Sequence, residues 1–195
     1  MMGGVYENHT VSASDFRNGL AYASTFTKMH FSRMIAGRCD FKGSVFTDCH
    51  FVECDISQCC FNSCRFVDCT FNDCDIDQST FKAAIIKKTT FVGGRAEYAD
   101  FSDSTLTDVT FDLQLHGADL RYASAENVSY GESNLWGASF TVSCNAFAGK
   151  ELSERQLSLF LSLLGSTSGN DDLRASVLSL VKADYVKMLD KLANV

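Results

Sequence analysis

The alternation of apolar and polar positions along this chain has a period of five. From Phe16 to Phe111 every fifth residue is apolar: mostly Phe, with Ile at Ile56, Ile76 and Ile86, Leu106, and Ala at Ala21, Ala36 and Ala96. An amphipathic helix repeats every ~3.6 residues and a half-buried strand every ~2, so neither produces this spacing, whereas a repeating coil does. After Phe111 the register slips by one residue and resumes at Leu115, Leu120, Ala125, Tyr130, Leu135 and Phe140. The slip predicts a kink or bulge inside one domain.

Two places before these central residues lies a second, smaller set. It comprises Cys39, Ser44, Cys49, Cys54, Cys59, Cys64, Cys69 and Cys74, then Ala99, Ser104, Ala118, Ala123, Ser133 and Ala138, while the other three positions of each pentad are mostly polar. This pairing resembles the pentapeptide-repeat family, whose usual pattern is carried almost verbatim by Ala118-Asp119-Leu120-Arg121-Tyr122. The resemblance covers roughly residues 14 to 145. It implies an all-β solenoid, a right-handed quadrilateral parallel β-helix with four pentads per coil, the central and small residues inside and the rest outside.

On that geometry, residues twenty apart stack along the axis at the inter-strand spacing of ~4.8 Å. Three stacks are then rich in Phe: Phe31 to Phe111, Phe41 to Phe101, and Phe26, Phe46 and Phe66 followed by Ile86 and Leu106. The fourth, from Phe16 through Ala36, Ile56 and Ile76 to Ala96, is smaller. About six to seven coils make a rod roughly 30 Å long. Burying each Phe contributes on the order of 1.5–3 kcal/mol, which offsets the ordering entropy of a narrow rod and spreads stability evenly along it. The chain contains no proline, as suits coils that exchange backbone hydrogen bonds on both sides. The expected organisation is an N-terminal lead or cap at 1–13, the solenoid at 14–148 and two α-helices at 149–195.

Composition narrows the classes. A chain of 195 residues, net charge −7 and 46% hydrophobic content reads as a soluble acidic protein with one main domain. No apolar run is long enough to cross a membrane, and Met1 to Val11 lacks the basic and apolar regions of a signal peptide, so a bacterial cytoplasmic location is expected. The alternative is secretion into a host cell by a dedicated system. The Asn8-His9-Thr10 and Asn127-Val128-Ser129 sequons read as chance matches.

The nine cysteines invite a metal or disulfide reading, but the repeat explains most of them as compact buried residues. Zinc sites need thiolates converging on one point, and these point inward from successive sides of different coils. Cys60 breaks the rule and is expected outside as a surface thiol, whereas Cys144 lies beyond the clear repeat. Cys49 beside His50 makes no catalytic dyad, because adjacent strand residues face opposite ways. His30 and His50 should stack on the outer surface near Asp48 and Glu53, an arrangement read as solvated histidines over a cation site. No P-loop, dinucleotide fingerprint, nucleophile elbow or HExxH motif occurs. The expectation is a protein that is not an enzyme and needs no cofactor.

The outer surface is asymmetric. From Asp48 to Asp77 there are seven acids against one base, Arg65. The twenty-residue rule places Asp48 on Asp68, Glu53 on Asp73 and Asp55 on Asp75, and like charges ~5 Å apart repel. One reading is that Asp is common just before the central residue in such repeats, which covers Asp55 and Asp75 only. The other is a partner-binding acidic face of Asp48, Glu53, Asp55, Asp68, Asp73 and Asp75, matched to a basic protein surface and not to nucleic acid itself.

The last forty-five residues change character. Ser153 to Gln156 reads as a capping box before an apolar face of Leu157, Phe160, Leu161 and Leu164, with Gly165 at the C-cap. A second amphipathic helix opens at Asp171 and Asp172. The first helix is expected to cap the solenoid, with Trp136 packed beneath it, or to mediate a homodimer through that end. The segment Arg155 to Gly165 resembles the terminal helix of quinolone-resistance (Qnr-type) pentapeptide proteins, which implies an acidic rod that mimics DNA and protects gyrase or another topoisomerase. Residues 16–111 carry no loop inserted between coils, as many Qnr proteins need, and the second helix is extra. The chain is also similar to the β-helix region of SopA/NleL-type effectors, which implies recognition of a host protein without the catalytic part. A plain oligomeric scaffold is the third reading, and fold alone does not choose among them.

Overall fold

A three-residue run whose middle side chain turns inward is the unit from which this chain is built. The computed structural model describes residues 3–140. Along its first face, Val5–Glu7, Thr25–Thr27, Val45–Thr47, Arg65–Val67, Ile85–Lys87, Thr105–Thr107 and Ser124–Glu126 form a seven-stranded parallel sheet. The second face is a six-stranded parallel sheet of Thr10–Ser12, His30–Ser32, His50–Val52, Thr70–Asn72, Thr90–Arg95 and Thr110–Gln114. The third and fourth faces are held by single bridges, as in Ile35 to Asp55 to Asp75 and Asp40 to Cys60 to Thr80, except that the fourth ends in a two-stranded parallel ladder of Asp119–Leu120 with Ser139–Phe140. Partners stand twenty residues apart, so four sides of five residues close each turn of a parallel β-solenoid.

The corners explain why five residues make a side. The second residue after almost every central residue lies in the left-handed region, from Asn8 at φ 55° through Glu53 at 52° and Ala83 at 55° to Asn127 at 53°. On the third and fourth faces the next amide closes a β-turn onto the central carbonyl, as in Cys39 to Ala36 (3.2 Å) and Cys64 to Phe61 (3.1 Å). A left-handed residue with a Cβ costs ~1–2 kcal/mol, least for Asn and Asp, so packing must hold these corners in place.

That packing is a set of ring ladders. Phe31, Phe51, Phe71, Phe91 and Phe111 stack at centroid separations of 4.7, 4.5, 4.6 and 5.2 Å. Phe41, Phe61, Phe81 and Phe101 stack at 5.1, 4.9 and 4.7 Å. Tyr6, Phe26, Phe46 and Phe66 form the third ladder at 5.1, 4.7 and 4.8 Å, and link the other two edge-on. Where this ladder changes to Ile86 and Leu106, the outer two meet directly, Phe81 on Phe91 at 6.1 Å and Phe91 on Phe101 at 6.0 Å. The expected stacks are therefore present.

The small inward position does more than fill space. Ser44 Oγ accepts from the Ser24 amide (3.0 Å) and donates to the Ala21 carbonyl (2.8 Å), and Ser79 does the same between the Cys59 amide (3.0 Å) and the Ile56 carbonyl (2.7 Å). Cys thiols repeat the donation: Cys59 to Ala36 at 2.9 Å and Cys64 to Phe41 at 3.0 Å. The serines thus pair the Ser24 and Cys59 amides of the coil below, while the thiols add a second donor to the Ala36 and Phe41 carbonyls, which already accept the Cys39 and Ser44 amides.

Two boundaries are sharper than the sequence reading. Residues 5–12, expected as a lead or cap, supply two sides of the first coil, with Tyr6 paired to Phe26 and Val11 to Phe31. The one-residue slip is a bulge: Val92 pairs with Asp112, but Arg95 pairs with Gln114. Gly93 and Gly94 absorb it at φ 68° and 72°, and a Cβ on Gly94 would lie 2.1 Å from the Cys74 carbonyl oxygen. The expected helices at 149–195, with Leu157, Phe160, Leu161 and Leu164, lie outside the described residues, as does Cys144.

Candidate protein-interaction surface

The corner geometry places the acids. Asp48 (φ 54°) and Asp68 (φ 55°) occupy the corner between the first and second faces, and Glu53 (φ 52°) and Asp73 (φ 51°) the corner between the second and third. The pairing of His50 with Thr70 and Val52 with Asn72 puts these corners in register, so two acidic ridges flank the second face. Aspartate tolerates the left-handed region better than most residues, which gives Asp48, Asp68 and Asp73 a backbone reason to be there. Glu53 has no such reason.

Asp55 and Asp75 serve differently. They are direct neighbours across one bridge on the third face. Asp55 Oδ1 accepts from the Ser57 amide (3.1 Å) and hydroxyl (2.7 Å), and Asp75 Oδ1 accepts from the Asp77 amide (3.0 Å). The same turn-closing contact recurs at Asp40, Asp100 and Asp119, which accounts for Asp just before the central residue on these two faces. Arg95 pairs with Asp75 and lies 3.2 Å from Asp77. Burial pushes the Asp77 carboxyl up, whereas the hydrogen bond from Arg121 holds the Asp119 carboxyl down.

The ion pairs fall unevenly. Asp15 pairs with Arg17 (2.6 Å), Asp103 with Lys82 (3.4 Å) and Asp119 with Arg121 (2.7 Å). Glu53, Asp68 and Asp73 are exposed and have no ion pair among the described residues, although Asp73 lies against Gly93 of the next coil. Asp48 has only His50, 3.6 Å away. Glu7, Asp108, Glu126 and Glu132 are also exposed and make no ion pair among the described residues, so the ridges are set apart by the register of neighbouring acids and not by the lack of a counter-charge.

The remaining candidates are resolved by orientation. Cys49 is fully buried while His50 faces out, with Nδ1 2.9 Å from the Thr70 hydroxyl. The His30 and His50 rings lie 6.4 Å apart, and among the described residues no group of three or more potential ligands could hold a metal ion. The inward cysteines are free thiols, and Cys60 is half-buried on the outside. Hydrogen bonds to Cys39 and Cys54, then burial, push Cys59 and Cys74 up; burial pushes Cys64 up to about 12. Trp136 is 62% exposed, its amide bonded to Asn134 Oδ1 at 3.1 Å. Its expected helical cover concerns residues outside those described. The contact that sequence reasoning missed is Tyr98, whose hydroxyl lies 3.1 Å from His116 Nε2 with its ring across Gly117. These residues are eighteen apart, a spacing that only the bulge produces.

Comparison with known proteins bears on this architecture. We found no sequence match among curated proteins. Among solved structures, the chain is similar to QnrB1, a plasmid-mediated fluoroquinolone resistance protein, in its trypsin-treated form: 16% identity, 84% of this chain and 91% of that one, TM-score 0.44. It is also similar to Rfr23 of the cyanobacterium Cyanothece 51142, at 14% identity over 72% of this chain and 86% of that one, TM-score 0.30. A third is AT2G44920 of the Arabidopsis thaliana thylakoid lumen, at 18% identity over 86% and 88%, TM-score 0.20. Residues 44–120 match the family described as "Pentapeptide repeat region". With the period of five, the four-sided coil and that match in hand, residues 44–120 are a pentapeptide-repeat region within a parallel β-solenoid.

Proposed function

We propose that this protein is a non-catalytic binding rod that uses the two acidic ridges beside its second face to engage a protein with a basic surface, with DNA gyrase or a related topoisomerase as the named partner. The observation that carries the reading is the run of exposed, unpaired acids at Glu53, Asp68 and Asp73, on corners where neighbouring coils hold them rigidly in line. Such a ridge attracts a basic groove and steers its approach, an effect that weakens with salt. The resemblance of the segment Arg155 to Gly165 to the terminal helix of Qnr-type proteins makes gyrase the first partner to try.

The experiment is a supercoiling assay with purified gyrase, with and without a quinolone, titrating the protein. Inhibition or protection is the expected result. Asp48→Asn, Asp68→Asn and Asp73→Asn combined with Glu53→Gln should remove the effect, because Asn holds the left-handed corner as well as Asp and only charge is lost. Equal potency of this variant would overturn the acidic-ridge reading. No effect of the parent protein at high excess would overturn the choice of gyrase.

A further inference from the structure

The first two coils enclose less than the coils that follow. Val11 and Ala21 hold central positions at which most later coils carry Phe, and the missing volume appears as a cavity of about 370 Å³ opening at the N-terminal end. It reaches down to Phe46 and Phe51 of the third coil, so its depth is about two inter-coil spacings, ~10 Å. Pockets that hold small molecules typically measure about 300–1,000 Å³.

The wall specifies the chemistry of an occupant. Among the described residues, no charged side chain lines the cavity. Its polar groups are already engaged: the Gly19 amide bonds to the Phe16 carbonyl (2.9 Å) and to Cys39 Sγ (3.2 Å), and Cys39 Sγ donates to the same carbonyl (2.9 Å). Water in such a room lacks the two to four partners it needs, and an apolar cavity of this kind stays dry and takes up apolar molecules. Met29 and Met34 sit where most other coils carry Ser, Cys, Ala or Thr, and their unbranched side chains adapt to a guest. Phe16, 49% exposed, stands at the mouth.

We propose that the N-terminal chamber between Val11, Phe16, Ala21, Met29 and Met34 is a binding site for one small, neutral, apolar molecule, with a short hydrocarbon chain as the best-fitting shape. The site is independent of the acidic ridges, and its occupant enters along the rod axis.

The test is a fluorescence titration of the full chain with N-phenyl-1-naphthylamine, a neutral apolar probe, followed by displacement with 1-decanol. Saturable binding of one probe per chain, competed by decanol, is expected. Ala21→Phe, which continues the ladder above Phe41, should weaken binding at least tenfold while leaving the far-ultraviolet circular dichroism unchanged. Val11→Phe, continuing the ladder above Phe31, supplies the same test should the first variant not fold. Absence of saturable binding overturns the proposal, whether the protein sediments as a monomer or as a dimer closed over its open end. Undiminished binding by a folded filled variant overturns it equally.

Discussion

Truncation of Phe66 separates the contribution of the ring ladders from that of the backbone ladder. Its ring is fully buried and touches four others, stacked on Phe46 at 4.8 Å and set edgewise or tilted against Phe61, Phe71 and Phe81 at 5.6, 5.7 and 5.9 Å. Phe→Ala in a core costs ~3–5 kcal/mol, and ring pairs add ~0.5–1.5 kcal/mol each beyond burial, so Phe66→Ala belongs at the upper end, about 4–5 kcal/mol. Ile86 fills the next place in the same ladder without any exposure, so Phe66→Ile should cost only about 1–2 kcal/mol.

Because each coil contacts only its neighbours, the damage stays local and divides the rod. Urea unfolding followed by circular dichroism reads the whole solenoid, while the single tryptophan, Trp136, reads the last described coil. The two transitions should coincide in the parent and separate in Phe66→Ala. Coincident transitions with a loss below about 1 kcal/mol would refute the ladder argument, leaving the backbone hydrogen bonds as the source of cohesion.

Three further outcomes are expected. Gly94→Ala should cost at least about 3 kcal/mol in urea unfolding, since its Cβ would sit 2.1 Å from the Cys74 carbonyl oxygen and 2.7 Å from its nitrogen, and backbone would have to move. Ala83→Gly, at φ 55° on an exposed corner, should raise the unfolding free energy measured in urea by about 0.5 kcal/mol, the relief of ~1–2 kcal/mol exceeding the ~0.4–1 kcal/mol of added unfolded-state freedom. Asp119→Asn keeps the acceptor for the Arg121 amide (2.9 Å) but loses the ion pair. Arg121 holds the folded Asp119 pKa below its ordinary 3.8, so the stabilisation is present above that value and is lost as pH falls through the lower folded value. The variant should be weaker by under about 1 kcal/mol at pH 7 and equal to the parent at pH 2, and a gap that persists in acid would sink the assignment.

The period of five carried most of the fold because it is enforced twice, by apolar residues inside and by corner geometry outside. Stacks such as Phe51 on Phe71 could be written down by adding twenty. The same rule, run backwards, reaches Val11 and Tyr6, yet their smaller or polar-tipped side chains hid the first coil. Size alone left out Met29, Met34, Val109, Leu113 and Val128, which are buried at positions the pattern reserved for small residues. Backbone sign was invisible: nothing in composition says that Asp48 and Asp73 stand at positive φ, and so the acids looked more in need of a functional cause than they are. Which acids are neutralised was equally hidden, because Arg95 reaches Asp75 and Asp77 only through the coil spacing.

The Ser and Cys bridges have a consequence for how such a chain changes over time. Each reaches only the coil immediately below, twenty or twenty-three residues back, and no bond among them refers to position along the rod. A segment of twenty residues is consequently a cassette. Its duplication or excision within the Phe-rich middle joins compatible ends, with Phe41 meeting Phe81 as readily as Phe61. Length becomes a quantity that unequal recombination can adjust in steps of one coil without new folding information, so the reach of the surface can be retuned while its chemistry is inherited intact.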